Sequence, residues 1–229
     1  MKNKIKHLRV PYAMTVHDKK EINAVVNTLK TSTQMGKKTK EFENKISNLY
    51  GKKYGIAVNS GTSALYLAME SFNIPKGSEV ITPVLTFATT VACIVKNGLI
   101  PSFVDVNLNT LCIDEEKIEK MINKNTKALC IPNLMGNYPN WDKIYKLAKK
   151  YKLLILEDSA DIIGSKYKNK KAGYYSDISI SSFYGMHIIN CAGNGGIICT
   201  NNEKFLKKIM LLRSWGRSSS LFDDSENIE

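Results

Sequence analysis

No two of the five cysteines, Cys93, Cys112, Cys130, Cys191 and Cys199, form a C-x-x-C pair, and no histidine cluster stands beside them. A metal site built from thiolates and imidazoles is therefore not expected. The cysteines fall in apolar, strand-like stretches, which predicts buried free thiols of a reducing cytoplasm. No apolar run approaches membrane-spanning length, and the first residues lack the apolar core of a secretory signal. A soluble cytoplasmic protein is expected. Acidic residues are the scarcer charge: 21 Asp and Glu against 33 Lys and Arg leave a net charge of +12. The lysines are scattered and form no basic stripe with interleaved aromatics, so nucleic acid is not an expected partner. A diffuse positive field instead suits phosphorylated ligands. Internal repeats and low-complexity segments are also missing.

What is present is an alternation of two periods. HDKKEINAVVNTLKT and TKEFENKISNLYG, within residues 17–51, space their apolar residues by three and four, with Gly36 as a break and Gly51 as a stop. From residue 54 onward, short apolar runs (YGIAVNS, SEVITP, PSFVDV, KALCIPNL, KLLILEDSA, DISISSFYG, GGIICT) alternate with helical patterns (GTSALYLAMESF, TFATTVACIVKNG, EEKIEKMINK, WDKIYKLAKKY), and EKFLKKIMLLRSWG closes the series. This alternation predicts a parallel-rich α/β sheet with ligands bound beyond the carboxyl ends of its strands. The expected organisation is a helical segment over 1–50, a ligand-binding domain over 51–215, and a polar Ser/Asp-rich region over 216–229.

The chemistry-bearing motifs all fall in strand-to-helix loops. In Asn59-Ser60-Gly61-Thr62-Ser63, Gly61 permits close approach of a ligand. The helix-start N–H groups and the Thr62 and Ser63 hydroxyls suit a phosphate, although Ser and Thr are also ordinary helix caps. Phe87, in Thr86-Phe87-Ala88-Thr89-Thr90, can stack on a flat ring or simply fill the core. The apolar strand Leu153–Leu156 runs into Glu157, Asp158, Ser159, Ala160 and Asp161, and carboxylates there are costly unless paired. Ser182 and His187 belong to Ser182-Phe183-Tyr184-Gly185-Met186-His187. An imidazole there can take and return a proton near neutral pH. The glycines of Asn190–Gly196 suit a tight turn.

In this order and spacing, G-T-S-A-L, T-F-A-T-T, E-D-S-A-D and S-F-Y-x-x-H resemble the DegT/DnrJ-type sugar aminotransferase family from about Tyr12 to Trp215. The resemblance implies the large domain of the aspartate-aminotransferase-like, type I pyridoxal-phosphate fold: a mostly parallel, mixed seven-stranded sheet between helices. It implies pyridoxal or pyridoxamine phosphate as cofactor, with Gly61, Thr62, Ser63 and Ser182 at the phosphate. Phe87 would lie on the ring, Asp158 at the pyridine nitrogen, and Asp161 near the ring hydroxyl. His187 stands where the aminotransferases carry the lysine that binds the cofactor covalently, and Asp161 where they carry glutamine. Both departures resemble the dehydratase branch, with His187 and Asp158 as the catalytic pair.

The implied activity is 3-dehydration of a 4-keto-6-deoxyhexose on a nucleotide, for surface polysaccharide, with an amino donor such as glutamate and a homodimeric partner. An ordinary aminotransferase is the alternative, though Lys166 and Lys170 fall in a polar loop. A catalytically silent fragment is the other, since family members are longer. Ser218, Ser219 and Ser220 replace the cysteines that some relatives use for an iron–sulfur cluster, so no cluster is expected.

Overall fold

A computed structural model of the chain describes residues 8–32 and 34–221. Helices α1 (Lys19–Thr31) and α2 (Lys37–Leu49) come first. The alternating region then runs β1 (Tyr54–Val58), α3 (Gly61–Ser71), β2 (Glu79–Pro83), α4 (Ala88–Lys96), β3 (Ile100–Val104), α5 (Glu115–Met121), β4 (Thr126–Pro132), α6 (Trp141–Tyr151) and β5 (Leu154–Asp158). A small hairpin, β6 (Lys166–Tyr167) and β7 (Lys170–Lys171), precedes β8 (Ile178–Ser182), β9 (Gly196–Thr200) and α7 (Glu203–Arg213). The polar tail beyond Leu221 lies outside the described residues.

Seven strands form one sheet in the order β1-β9-β8-β5-β4-β2-β3. Only β9 runs against its neighbours, β1 and β8; the other pairings are parallel. The mostly parallel sheet predicted from the alternation is therefore the one formed. Because β1, β2, β4, β5 and β8 share a direction, their carboxyl ends lie along one edge.

Both faces are covered. On one, Ala64, Leu65, Ala68 and Met69 of α3, Cys93 and Ile94 of α4 and Ile209 of α7 pack against Val80, Cys130, Leu156 and Ile178. On the other, Ile118 of α5 and Trp141, Ile144 and Ala148 of α6 pack against Ile81, Leu129, Ile131 and Ile155. Burial on both faces explains why these strands read as continuous apolar runs. Helix α2 adds Ile46 to a third cluster with Tyr50, Phe183, Ile197 and Cys199. Helix α1 carries a complete capping box between Asp18 and Glu21, yet buries none of its residues.

Four of the five cysteines are buried, and all are free. Cys191 departs from the expected burial: it is exposed, in the turn before β9, because the apolar run resumes only at Ile197. Cys93 is buried in a helix rather than a strand.

Antiparallel β9 sits directly over the start of α3. A Cβ on Gly196 would lie 2.2 Å from the carbonyl oxygen of Ser60. Two backbone segments meet there, so no side chain can move aside. Gly196→Ala is expected to destabilise the fold by about 3 kcal/mol, the upper range for overpacking. Urea unfolding monitored by circular dichroism would measure it, and a loss below about 1 kcal/mol would show that the contact yields.

Candidate active site

Strand order gathers the sequence-predicted residues at the carboxyl edge of the sheet. Gly61, Thr62 and Ser63 follow β1, Phe87 follows β2, Asp158 ends β5 with Asp161 just beyond, and Ser182 ends β8 with His187 just beyond.

The start of α3 is held by Ser60, whose side chain accepts from the Ser63 N–H at 3.1 Å and donates to the Ser63 hydroxyl at 3.1 Å. Ser60, rather than Thr62 or Ser63, is thus the cap, and the Thr62 hydroxyl has no partner among the described residues. Gly61 faces Ser182 so closely that a Cβ there would lie 2.7 Å from the Ser182 Cβ. The contact brings the Ser182 hydroxyl beside the first N–H groups of α3. N–H groups at a helix start, flanked by hydroxyls, are suited to a phosphate.

Asp158 is buried at the end of β5. Its Oδ2 accepts from the Thr90 hydroxyl at 2.9 Å, and its Oδ1 accepts from the Ala160 N–H at 3.3 Å. Burial pushes its carboxyl up to about 6, with Asp161 and Glu157 adding to the rise while the Thr90 and Ala160 hydrogen bonds oppose it. A buried carboxylate with a weakly occupied oxygen is a natural partner for a cationic ring nitrogen.

Neighbouring side chains alternate across a strand, so Glu157 points to the opposite face. It is buried too, but fully served: it accepts from Asn133 Nδ2 (2.9 Å) and from the hydroxyls of Ser159 (3.0 Å), Ser176 (2.8 Å) and Ser179 (2.9 Å). Asn133 also accepts from Trp141 Nε1 at 2.8 Å, and its N–H donates to the Asp158 carbonyl at 2.9 Å. The two acids at the end of one apolar strand therefore differ in kind. Glu157 is locked in a structural network, and Asp158 keeps capacity for a ligand.

His187 and Asp161 meet directly, with Nδ1 of His187 at 3.5 Å from Oδ1 of Asp161. The other Asp161 oxygen accepts from the Met135 N–H at 2.9 Å. Met135 adopts a left-handed backbone (φ 54°) in the turn Leu134–Gly136 after β4, and that turn aims its N–H at the carboxylate. Asp161 is thereby tied on one side and presented to the imidazole on the other. Phe87 caps α4 and is 71% exposed at the mouth of this edge. The Thr90 N–H donates to its carbonyl at 3.0 Å, so Phe87 reaches Asp158 through Thr90.

The alternative lysines lie elsewhere. Lys166 and Lys170 are exposed on the small hairpin. Lys52 is buried, but its ammonium donates to the Ser176 carbonyl, and burial lowers its proton affinity. The residues that sequence reading did not single out are Thr90, Asn133 and Met135. Thr90 stands within the T-F-A-T-T motif. Asn133 and the Met135 N–H leave no local signal, because only the turn after β4 brings them to β5. Among the described residues no group of His, Cys, Asp and Glu could hold a metal ion, and no helix is long and apolar enough to cross a membrane.

Residues 15–227 match the profile of the DegT/DnrJ/EryC1/StrS aminotransferase family. The chain is 35% identical to the GDP-perosamine synthase of Caulobacter vibrioides, over 91% of this chain and 56% of that protein. It is 31% identical to the GDP-4-keto-6-deoxy-D-mannose 3-dehydratase of Escherichia coli O55:H7, over 93% of this chain and 57% of that protein. A crystal structure of a GDP-4-keto-6-deoxymannose-3-dehydratase with a trapped PLP-glutamate geminal diamine superposes with a TM-score of 0.88 at 30% identity, covering 93% of this chain and 57% of that one. The chain spans about half the length of the curated relatives it matches. The relatives include proteins named as a nucleotide-sugar transaminase and as nucleotide-sugar 3-dehydratases.

Proposed function

Because this chain belongs to the DegT/DnrJ/EryC1/StrS aminotransferase family, whose enzymes depend on pyridoxal phosphate, we propose that it serves the dehydrating reaction, 3-dehydration of a nucleotide-linked 4-keto-6-deoxyhexose. The observation that carries this reading is His187, held against Asp161 at the sheet edge where the resemblance places a lysine in the aminotransferases.

When bound, pyridoxamine phosphate supplies an amine for the keto group and a ring that withdraws electrons. The chain's residues do the rest. The N–H groups at the start of α3, with the Thr62, Ser63 and Ser182 hydroxyls, hold the phosphate. The Asp158 carboxylate would pair with the ring nitrogen and keep it cationic, with Phe87 at the mouth of the site available to stack on the ring. Asp161 holds Nδ1 of His187, which leaves Nε2 to take up a proton and later return it. A histidine forms no lasting covalent link with an aldehyde, so His187 would leave the cofactor bound without a covalent tie. Glutamate is the proposed amino donor and a second copy of the chain the proposed partner. Surface-polysaccharide precursors are the product class, and the cytoplasm the proposed compartment.

The aminotransferase reading keeps support from the 36% identity to a UDP-4-amino-4,6-dideoxy-N-acetyl-beta-L-altrosamine transaminase of Campylobacter jejuni. One experiment separates the readings. The purified protein is given pyridoxal phosphate, then glutamate, and its absorbance is followed; a second sample is treated with borohydride. Conversion to the pyridoxamine form without any covalently fixed cofactor is expected. Cofactor fixed to the protein by borohydride would overturn the proposal in favour of amino transfer. Binding without a response to glutamate would mark a silent binder.

A further inference from the structure

Thr90 lies in the first turn of α4, fully buried, 68 residues from Asp158 in sequence. A threonine hydroxyl in a helix normally returns to the backbone of its own helix. The Thr90 hydroxyl instead crosses to β5 and donates to Oδ2 of Asp158 at 2.9 Å. Its N–H donates to Phe87, and its carbonyl accepts from the Cys93 thiol at 3.2 Å and from the Cys130 thiol of β4 at 3.8 Å. One residue is therefore bonded through its backbone to Phe87 and through its side chain to Asp158.

We infer that Thr90 is a positioning residue for Asp158, fixing Oδ2 so that Oδ1 stays turned toward a cationic ring nitrogen. The inference rests on the proposed cofactor role of Asp158. Among the described residues Oδ1 has only the 3.3 Å contact from the Ala160 N–H, the weaker of the two. A hydroxyl donating to a carboxylate favours its ionised form, the form a cationic ring requires. The titratable neighbours of Asp158 are Glu157 on the same strand, Asp161 beyond it, Cys130 on β4 and Tyr50 after α2. None of them is an acid or base that Thr90 replaces, so removing the hydroxyl changes one interaction only.

The test compares Thr90→Val, which keeps the shape and loses the hydroxyl, with Thr90→Ser, which keeps the hydroxyl. In cofactor-free protein labelled with carboxyl-¹³C aspartate, the Asp158 resonance is assigned by its loss in Asp158→Asn. Its titration midpoint is expected to rise by about one pH unit in Thr90→Val, the scale of one charge-assisted hydrogen bond, and to stay within a few tenths in Thr90→Ser. Because a carboxyl that titrates higher is more often protonated, pyridoxamine phosphate is expected to bind Thr90→Val about fivefold more weakly at pH 6, with the difference fading by pH 8. Should the valine variant fail to fold, Thr90→Ala provides the same titration. A midpoint unchanged in the valine or alanine variant overturns the inference, as does an equal shift in serine and valine. If no variant, wild type included, binds the cofactor, the functional reading falls, and the carboxyl titration still decides the role of Thr90.

Discussion

Replacing Asp158 by asparagine is expected to weaken cofactor binding and, at the same time, to stabilise the cofactor-free protein. Both effects follow from one burial. The carboxyl ends an apolar strand, and burial raises it from 3.8 to about 6. The folded state then binds the Asp158 proton more tightly than the unfolded chain does. At neutral pH, where both states are ionised, the folded state bears the penalty of a buried charge. A rise of roughly two units corresponds to about 3 kcal/mol, and asparagine should recover about 2 kcal/mol of it, since its amide still needs partners. The pH dependence has a definite sign. The Asp158 contribution favours folding increasingly as pH falls from about 7 through 6 toward 4, and the asparagine variant should lose that slope. Urea unfolding of both proteins at pH 5 and pH 8 would measure it. Equal stabilities at pH 8 with parallel slopes would mean that the carboxylate is not strained by its site. Cofactor affinity should fall tenfold to a hundredfold, about 1.5–3 kcal/mol for a charge-assisted bond. A site that gives up stability to keep a charge in place is better explained by a ligand than by packing.

How much of this was legible in the sequence depends on the range of each interaction. The alternation of strand and helix and the helix caps are local or periodic signals, and they predicted a parallel-rich sheet, to which the family resemblance added the seven strands. The reversal of β9 is not local. GGIICT reads only as an apolar run, and its direction is set where Gly196 meets Ser60 across the sheet. The two-residue strands β6 and β7 are too short to carry a period. In the site, Asp158, Asp161, Ser182 and His187 were legible because their motifs sit at strand ends. The pairing of His187 with Asp161 was not, since it needs β5 and β8 side by side. Thr90 was visible only as a motif letter, and the four donors around Glu157 come from three separate segments. The misplacement of Cys191 has the same origin: an apolar neighbourhood in sequence does not say which residue turns outward.

Exchanging His187 should separate proton transfer from cofactor binding. His187→Asn is expected to keep cofactor affinity within about threefold and to lower dehydration by 10²–10⁴-fold, the range of a lost general acid–base group, with pyridoxamine phosphate binding and product release measured in parallel. Loss of binding would make His187 a structural residue instead. His187→Lys is expected to create a covalent, borohydride-reducible link to pyridoxal phosphate, but only at raised pH. The reason lies in its neighbour. Asp161 stays anchored by the Met135 N–H and would face the new ammonium as it now faces Nδ1. An opposite charge at that range holds a lysine protonated, and a protonated amine cannot attack the aldehyde. Both side chains are partly exposed, so the effect is discounted to about one pH unit. Adding Asp161→Gln, which restores the glutamine of the resembling aminotransferases, should therefore lower the midpoint for link formation by about that unit. Equal midpoints in the single and double variants would show that Asp161 does not control the charge at position 187, and the orienting role given to it would fall with that result.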